Sequence, residues 1–365
     1  MFGIKRIDAL RIAVPMAAPI RMSTGTITAS DNLIVRVADG EGRTGWGEAA
    51  SAPMMTGETS AGMVAAVRFM AARLEGREIP DPGAIGDILA AAMHANHAAK
   101  SALDTALLDL AGQHLGLPLH ELLGGRKRTR AAMIWRISGA PDEIETARRR
   151  RGEGFVAFKV KVATHDPETD LGRARAARAA VGAGVTVSAD ANEGFSAADG
   201  LIFAAGAGEA GLDFVEQPVR GADIEAMRAC AEAASVPIGA DEGLHGLDDI
   251  RRHHALGAAA GGSLKLIKFG GAFQVMAAAR LMGELGMAVN LAGKAADTSI
   301  GSAAIAHLAL ALPSLEWDAN ITNQYLQGDV ARDPVRVEDG HIVTPEGPGL
   351  GISVDEDAVA RYRRD

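Results

Sequence analysis

The chain has 365 residues, 48% hydrophobic and 23% charged, which is enough to bury a large core in two domains or in one barrel with an addition. A net charge of -9 argues against nucleic acid or an anionic membrane surface as partner. The single cysteine, Cys230, excludes an internal disulfide, and no run of about 18 apolar residues is available to span a bilayer.

The opening segment, MFGIKRIDALRIAVP, lacks the apolar core and small-residue cleavage site of an export signal, so a cytoplasmic protein is expected. Next, LIVRVADGEGRTGWGEAA carries two strand-like runs around DGEG, a hairpin signal. KSALDTALLDLAGQHLG (100–116) follows with apolar residues at helical spacing. Residues 1–125 are therefore expected to form an α+β domain. From 126 to 338 the pattern changes. Short β-like runs fall at 131–135, 155–162, 185–192, 214–218, 237–243, 263–270, 287–293 and 314–319. Helical patterns such as 170–184, 222–235 and 272–286 lie between them, and several stop at glycine. Strands apolar on both faces alternating with helices indicate a parallel sheet, and eight of them a closed barrel. An open doubly wound sheet is the alternative, but no Gly-x-Gly-x-x-Gly turn follows a first strand. The tail 339–365, beginning DGHIVTPEGPGLGISVD, is glycine-punctuated and extended, and is expected to return to the first domain.

In such a barrel the chemistry gathers at the C-terminal strand ends. Three consecutive strands end in acids: Asp190 in SADAN, Glu216 in FVEQP and Asp241 in GADEG. Carboxylates converging from neighbouring strands repel unless a cation neutralises them, and hard oxygen ligands suit Mg²⁺. A lone acid of this kind as often caps the next helix; three in a row favour a metal site. In FVAFKVKVA (155–163), period-two alternation puts Lys159 and Lys161 on one face, opposite Phe158, Val160 and Val162. The lysines then face the barrel interior. Lys265, in SLKLIKFGG, belongs to the sixth strand, across the ring from the second. A metal-bound carboxylate substrate would have its α-carbon between two amines, and a lysine beside a divalent cation and a second lysine has its pKa lowered towards a useful base. The set suits proton abstraction through an enediolate; a non-catalytic binding barrel or a phosphate-binding barrel is the competing class, and LAGKAADTS makes no glycine-rich phosphate cradle.

Together FKVKV, SADAN, FVEQP, GADEG and SLKLIKFGG, with GRTGWGEAA and GPGLGI, resemble the muconate lactonizing enzyme subgroup of the enolase superfamily over essentially the whole chain. The separations match too: 29 residues from Lys161 to Asp190, then 26, 25 and 24 to Glu216, Asp241 and Lys265. The resemblance implies a modified TIM barrel, (β/α)7β, with an N-terminal α+β capping domain. It implies a Mg²⁺-dependent isomerase acting on a small carboxylate, and a homo-oligomer, dimer or octamer. Asp190, Glu216 and Asp241 would be the metal ligands, Lys161 and Lys265 the acid/base pair, and Lys159 the residue that polarises the carboxylate and tunes Lys161. Asn192 and Gln217 would support them, while Lys268 fits the spacing less well than Lys265. His253 and His254 fall in a helix and are expected to be surface or packing residues. Specificity would come from loops at 20–30 and 51–60, where Met22, Met54 and Met55 offer an adaptable apolar lining, and from Asp318 and Asn320 on the last strand. Dipeptide epimerases carry an Asp-x-Asp pair at a similar position; here the second acid is asparagine. That departure favours an amino acid derivative with one cationic nitrogen, or a neutral N-acyl one, over a dipeptide. A racemase or epimerase is the leading expectation; a cycloisomerase or dehydratase would use the same lysines.

Overall fold

The computed structural model describes residues 2–22, 25–138 and 140–364, the side chains of residues 21 and 22 excepted. The first unit opens with five strands, β1 (Phe2–Ile12), β2 (Pro15–Met22), β3 (Gly25–Ala29), β4 (Asn32–Asp39) and β5 (Thr44–Ala50). Helix α1 (Ser60–Leu74) follows, capped by the Thr59 side chain accepting from Gly62 N–H. Then come β6 (Glu78–Ile79), α2 (Ile85–Ala92), α3 (His97–Leu115) and α4 (Leu119–Leu122). Helix α3 is buried along almost its whole length and stops at Gly116, whose φ of 66° is left-handed. It can lie directly on β5 because Gly45 and Gly47 carry no side chain there. A Cβ on either would come within 2.1 Å of a carbonyl oxygen of α3, that of Ala106 or Ala102.

The second unit alternates strand and helix: β7 (Ala131–Ala132), β8 (Ile134–Ile137), α5 (Glu143–Gly152), β9 (Ala157–Lys161), α6 (Pro167–Val181), β10 (Thr186–Asp190), α7 (Ala197–Gly206) and β11 (Phe214–Glu216). It continues with α8 (Ile224–Ala233), β12 (Ile238–Ala240), α9 (Leu247–Ala255), β13 (Gly261–Leu264), α10 (Leu266–Phe269), α11 (Ala272–Glu284), β14 (Ala288–Ala292), α12 (Ser299–Ala311) and β15 (Ala319–Asn320). Strands β8 to β15 pair in parallel in sequence order, and a parallel bridge from Met133 to Ala319 closes the ring. This is the modified TIM barrel expected, eight strands with no helix after the last.

The tail adds β16 (Val337–Glu338), β17 (His341–Ile342), α13 (Glu356–Tyr362) and β18 (Arg363–Arg364). Strand β17 pairs with β7, and β18 extends the sheet β18-β1-β4-β5 of the first unit.

The barrel strands are shorter than the sequence runs, and three depart from them most. Of 131–135, only the second part enters the ring; Ala131 and Ala132 pair with the tail. The sixth strand lies earlier than 263–270, because Leu266–Phe269 turns into α10. Its leading residues, Gly261 and Gly262, carry no Cβ where Trp317 and the Ala240 carbonyl approach within 2.7 Å. The eighth strand is only Ala319–Asn320, because Trp317 ahead of it stacks on Phe214 at 4.1 Å.

Buried acids of the first unit grip backbone of the second unit and of the tail. Glu48 of β5 accepts from the N–H groups of Thr298 and Gly301, at 3.0 and 2.8 Å, at the start of α12. Asp104 accepts from Ala272 N–H at 2.8 Å at the start of α11, and Asp109 from Leu350 N–H at 2.7 Å. Burial pushes Asp104 up to about 7 and Asp109 to about 6, against the lowering effect of those N–H groups. Among the described residues no helix is long and apolar enough to cross a membrane.

Candidate active site

Register places the acids. Asp190 at the end of β10 lies opposite Lys161 on one side and Glu216 on the other. Directly paired residues of parallel strands point to the same face, so these side chains meet inside the ring. Lys161 Nζ donates to Asp190 Oδ2 at 2.5 Å and to Asn192 Oδ1 at 2.7 Å. Lys159 donates to Glu216, whose other oxygen accepts from Ser263 Oγ at 2.8 Å. Lys265 and Lys268 both donate to Asp241. Left-handed backbone recurs just past these strands, at Ala163, Asn192, Gln217 and Ala296, strain of the kind that gathers at functional mouths.

Asp190, Glu216 and Asp241 are all at most 3% exposed. Burial alone would raise each carboxyl, yet the lysines decide the outcome. Lys161 and Lys159 hold Asp190 below the usual carboxylate range, and Lys265 with Lys268 holds Asp241 well below it. Glu216 stays raised, because burial and the neighbouring Asp190 and Asp241 outweigh Lys159. Glu242, beside Asp241, is pushed up to about 8 by burial and by that neighbour.

The carboxylates in turn set the state of Lys159 and Lys265. Burial does oppose the charged form, but Glu216 and Asp190 raise Lys159, and Asp241 with Glu242 raises Lys265. The lysines therefore neutralise the acids, each acid drawn onto its own partner. Among the described residues, only Asp39, Glu41 and His114 bring three ligand atoms within 4.8 Å of one another. That group lies in the first unit, with the Arg43 guanidinium already bound to Asp39 and Glu41. The case for a metal at the three barrel acids rests on their donor chemistry: three carboxylates from adjacent strand ends on one cavity wall.

An inner cavity of about 70 Å³ is lined by Lys159, Lys161, Asp190, Asn192, Glu216, Asp241 and Lys265, and also by Arg136, Lys294, Asn320, Thr322 and Tyr325. It meets an outer cavity of about 320 Å³ between barrel and first unit, the two sharing Met55, Asn192, Lys294 and Ala295.

Not every residue singled out in the sequence lies here. Gln217 is fully buried and clamps strand ends instead, its Oε1 accepting from Asp241 and Gly243 N–H and its Nε2 donating to Val219 O. Asp318 is not on the inner wall, whereas Asn320 is. Backbone φ at Asp318 is 55°, and its carbonyl accepts from Asn290 Nδ2 at 2.8 Å; burial alone pushes its carboxyl up to about 6. Met54 is 81% exposed on the outer rim, Met55 reaches both cavities, and the Met22 side chain lies outside the described residues. Lys268 has no exposure and does not line the cavity. His253 is buried in α9 and bonded to Asp249 O, and His254 is exposed. Arg136, Lys294 and Tyr325 carried no sequence motif, yet all three line the wall.

Comparison with known proteins agrees with this geometry. Residues 142–358 match the model of the enolase C-terminal domain-like family, and residues 6–124 that of the mandelate racemase / muconate lactonizing enzyme N-terminal domain. The chain is 32% identical to a chloromuconate cycloisomerase of Pseudomonas sp. (strain P51), over 99% of both chains. It is 27% identical to the muconate lactonizing enzyme of Pseudomonas fluorescens complexed with muconolactone, with a TM-score of 0.94 over all of both chains. With a dipeptide epimerase of Cytophaga hutchinsonii, complexed with Mg and D-Ala-L-Val, it shares 28% identity and a TM-score of 0.91, covering 100% of this chain and 99% of that one. The chain belongs to the enolase superfamily, as an enzyme of its muconate lactonizing subgroup.

Proposed function

We propose that the protein is a divalent-metal-dependent racemase or epimerase that removes and returns the proton α to a carboxylate, its substrate an N-substituted amino acid. One observation carries this reading: Lys161 and Lys265 line one cavity from the ends of β9 and β13, four strands apart in a ring of eight, with the acids along the arc between. Asp190, Glu216 and Asp241 would hold the cation, and Mg²⁺ suits three such oxygen donors. When bound it supplies positive charge opposite the charge that develops on the substrate carboxylate.

The chain's own groups do the rest. Lys161 and Lys265 address opposite faces of the α-carbon, one taking the proton and the other delivering one. Lys159 aims its ammonium at the carboxylate. The inner wall holds no carboxylate beyond the three acids among the described residues, so a free substrate ammonium would find no counter-charge there. An N-acyl amide fits better than a dipeptide amine.

A second reading, cycloisomerisation of a muconate, is favoured by the chloromuconate cycloisomerase matched over 99% of both chains. Incubation in D₂O with N-acyl, N-methyl and cyclic amino acids, dipeptides, muconates and lactones, followed by proton NMR, separates the two. Racemisation exchanges the α-proton without changing the carbon skeleton, whereas cycloisomerisation consumes the diene. Lys161→Ala and Lys265→Ala should each abolish racemisation, at least one retaining α-proton exchange on a single enantiomer. A chelator should stop turnover and Mg²⁺ restore it. Full racemisation in either lysine variant would refute the two-base reading.

A further inference from the structure

The first unit reaches the inner cavity through one residue. Among the described residues only Met55 of that unit lines it, and Met55 lines the outer cavity as well, so its side chain stands at the seam between the two. The rest of the seam, Asn192, Lys294 and Ala295, belongs to the barrel. A methionine turns about three bonds and shapes a wall only as well as its backbone is held. What holds this backbone therefore sets the width of the seam.

The loop that bears Met55, residues 51–58, is a compact turn tied to the first unit at both ends. Met55 and Thr56 N–H both donate to Ala52 O, at 2.9 and 2.8 Å, and Gly57 N–H donates to Pro53 O at 3.1 Å. Ser51 N–H donates to Asp31 O, and the Glu58 carboxylate accepts from Ala98 and Ala99 N–H at the start of α3. Towards the barrel the loop makes a single hydrogen bond among the described residues, His245 Nε2 to Met55 O at 2.7 Å. A carbonyl only accepts, so Nε2 is the donor. His245 is itself firmly placed. Its N–H donates to Asp249 Oδ2 at 2.8 Å, and earlier in the same loop Gln217 Oε1 accepts from Asp241 and Gly243 N–H. The loop that carries Asp241 into the reaction centre thus also carries the hold on Met55.

We infer that His245 is a positioning residue: by holding Met55 O it sets the width of the seam, and with it which N-substituents the site accepts. The inference rests on the racemase reading above, which places the reacting carboxylate at the barrel acids. The inner cavity, at about 70 Å³, falls well short of the roughly 300 Å³ of an ordinary ligand pocket, so an N-substituent must leave it past Met55. His245 does not line the inner cavity, so its influence falls on binding rather than on proton transfer.

Hydrogen exchange and kinetics test this together. His245→Met keeps the reach of the side chain and removes the donor, whereas His245→Gln puts an amide N–H where Nε2 stands. By mass spectrometry, peptides covering 51–58 should exchange about tenfold faster in His245→Met and at the wild-type rate in His245→Gln. With N-acetyl-, N-butyryl- and N-hexanoylalanine as probes, His245→Met should raise KM about fivefold, the worth of one net hydrogen bond, with kcat held within about twofold. The spread of KM across the three acyl lengths should narrow as well, and His245→Gln should restore both. Unchanged exchange at 51–58 in His245→Met would overturn the hold. Faster exchange with KM unchanged, or a loss that falls on kcat, would overturn its bearing on binding. If the wild type racemises none of the three, the N-acyl reading fails and the substrate half of the inference with it, while exchange at 51–58 still decides the hold. Thermal melting of each variant checks that it is folded.

Discussion

Lys265 and Lys268 lie one turn apart and hold the same carboxylate, yet their surroundings separate them. Lys265 lines the cavity, where a substrate can reach it. Lys268 donates to Asp241 O, Asp241 Oδ1 and Ser263 O at 2.5, 2.6 and 2.8 Å, with no exposure at all. Lys268→Met would leave two carbonyls and a carboxylate oxygen short of a donor, costing about 3 kcal/mol in urea unfolding. Lys265→Met should cost less stability, because water in the cavity can replace the lost ammonium. The reverse order of stabilities would refute this division. The spacing from Asp241 already separated the two lysines in the sequence, since successive strand ends keep nearly constant intervals. Arg136 and Lys294 were not legible in the same way. Each is a single cation outside any motif, and an excess of positive charge appears only when the wall is assembled and its partners counted. Asp318 fails for a different reason. Resemblance to an Asp-x-Asp pair placed it with Asn320, but its left-handed backbone breaks the strand alternation there.

Among the elements, β5 serves two helices at once. Its glycines admit α3 to backbone contact, and Glu48 between them and the strand end caps α12. Gly47→Ala would place a methyl group about 1.9 Å from the Ala102 carbonyl oxygen, where backbone rather than a flexible side chain must move. The expected loss is about 1–3 kcal/mol, read by chemical unfolding. Gly3→Ala, with nothing within 4 Å, should be nearly neutral. The alternation of strand and helix was readable because the barrel strands are largely apolar and several helices stop at glycine. Strand limits were readable only where side chains set them, as with the alternating β9. They were misplaced at β13 and β15, where the floor of the barrel, filled by Trp317 and Phe214, dictates which backbone approaches which. A period-two pattern carries no trace of such a plug.

The molecule as a whole is tied together by polar links of long sequence separation, and one of them titrates. His307 of α12 shares a 2.9 Å contact between Nδ1 atoms with His120 of α4, and its Nε2 lies 3.1 Å from Leu350 O. Arg126 Nε donates to His120 Nε2 at 3.0 Å, which fixes each ring as neutral with one proton. Burial pushes His307 down to about 4, with the nearby His120 adding to the effect. The folded pKa lies below the unfolded value near 6.5, so the stabilisation is complete above pH 6.5 and is lost as pH falls towards 4. The full effect is about 3 kcal/mol. Urea unfolding between pH 7 and 5 should show the decline, and His307→Gln should flatten it. An unchanged slope in that variant would refute the assignment.

The buried acids of the first unit bear on how the chain is born. Glu48 leaves the ribosome about 250 residues before Thr298 and Gly301, and Asp109 about 240 before Leu350. At ordinary rates of synthesis that is a wait on the order of tens of seconds. Through that interval the nascent first unit must keep both carboxylates in water, half open on the face that will receive the barrel. The lock closes only once Leu350 itself has been made.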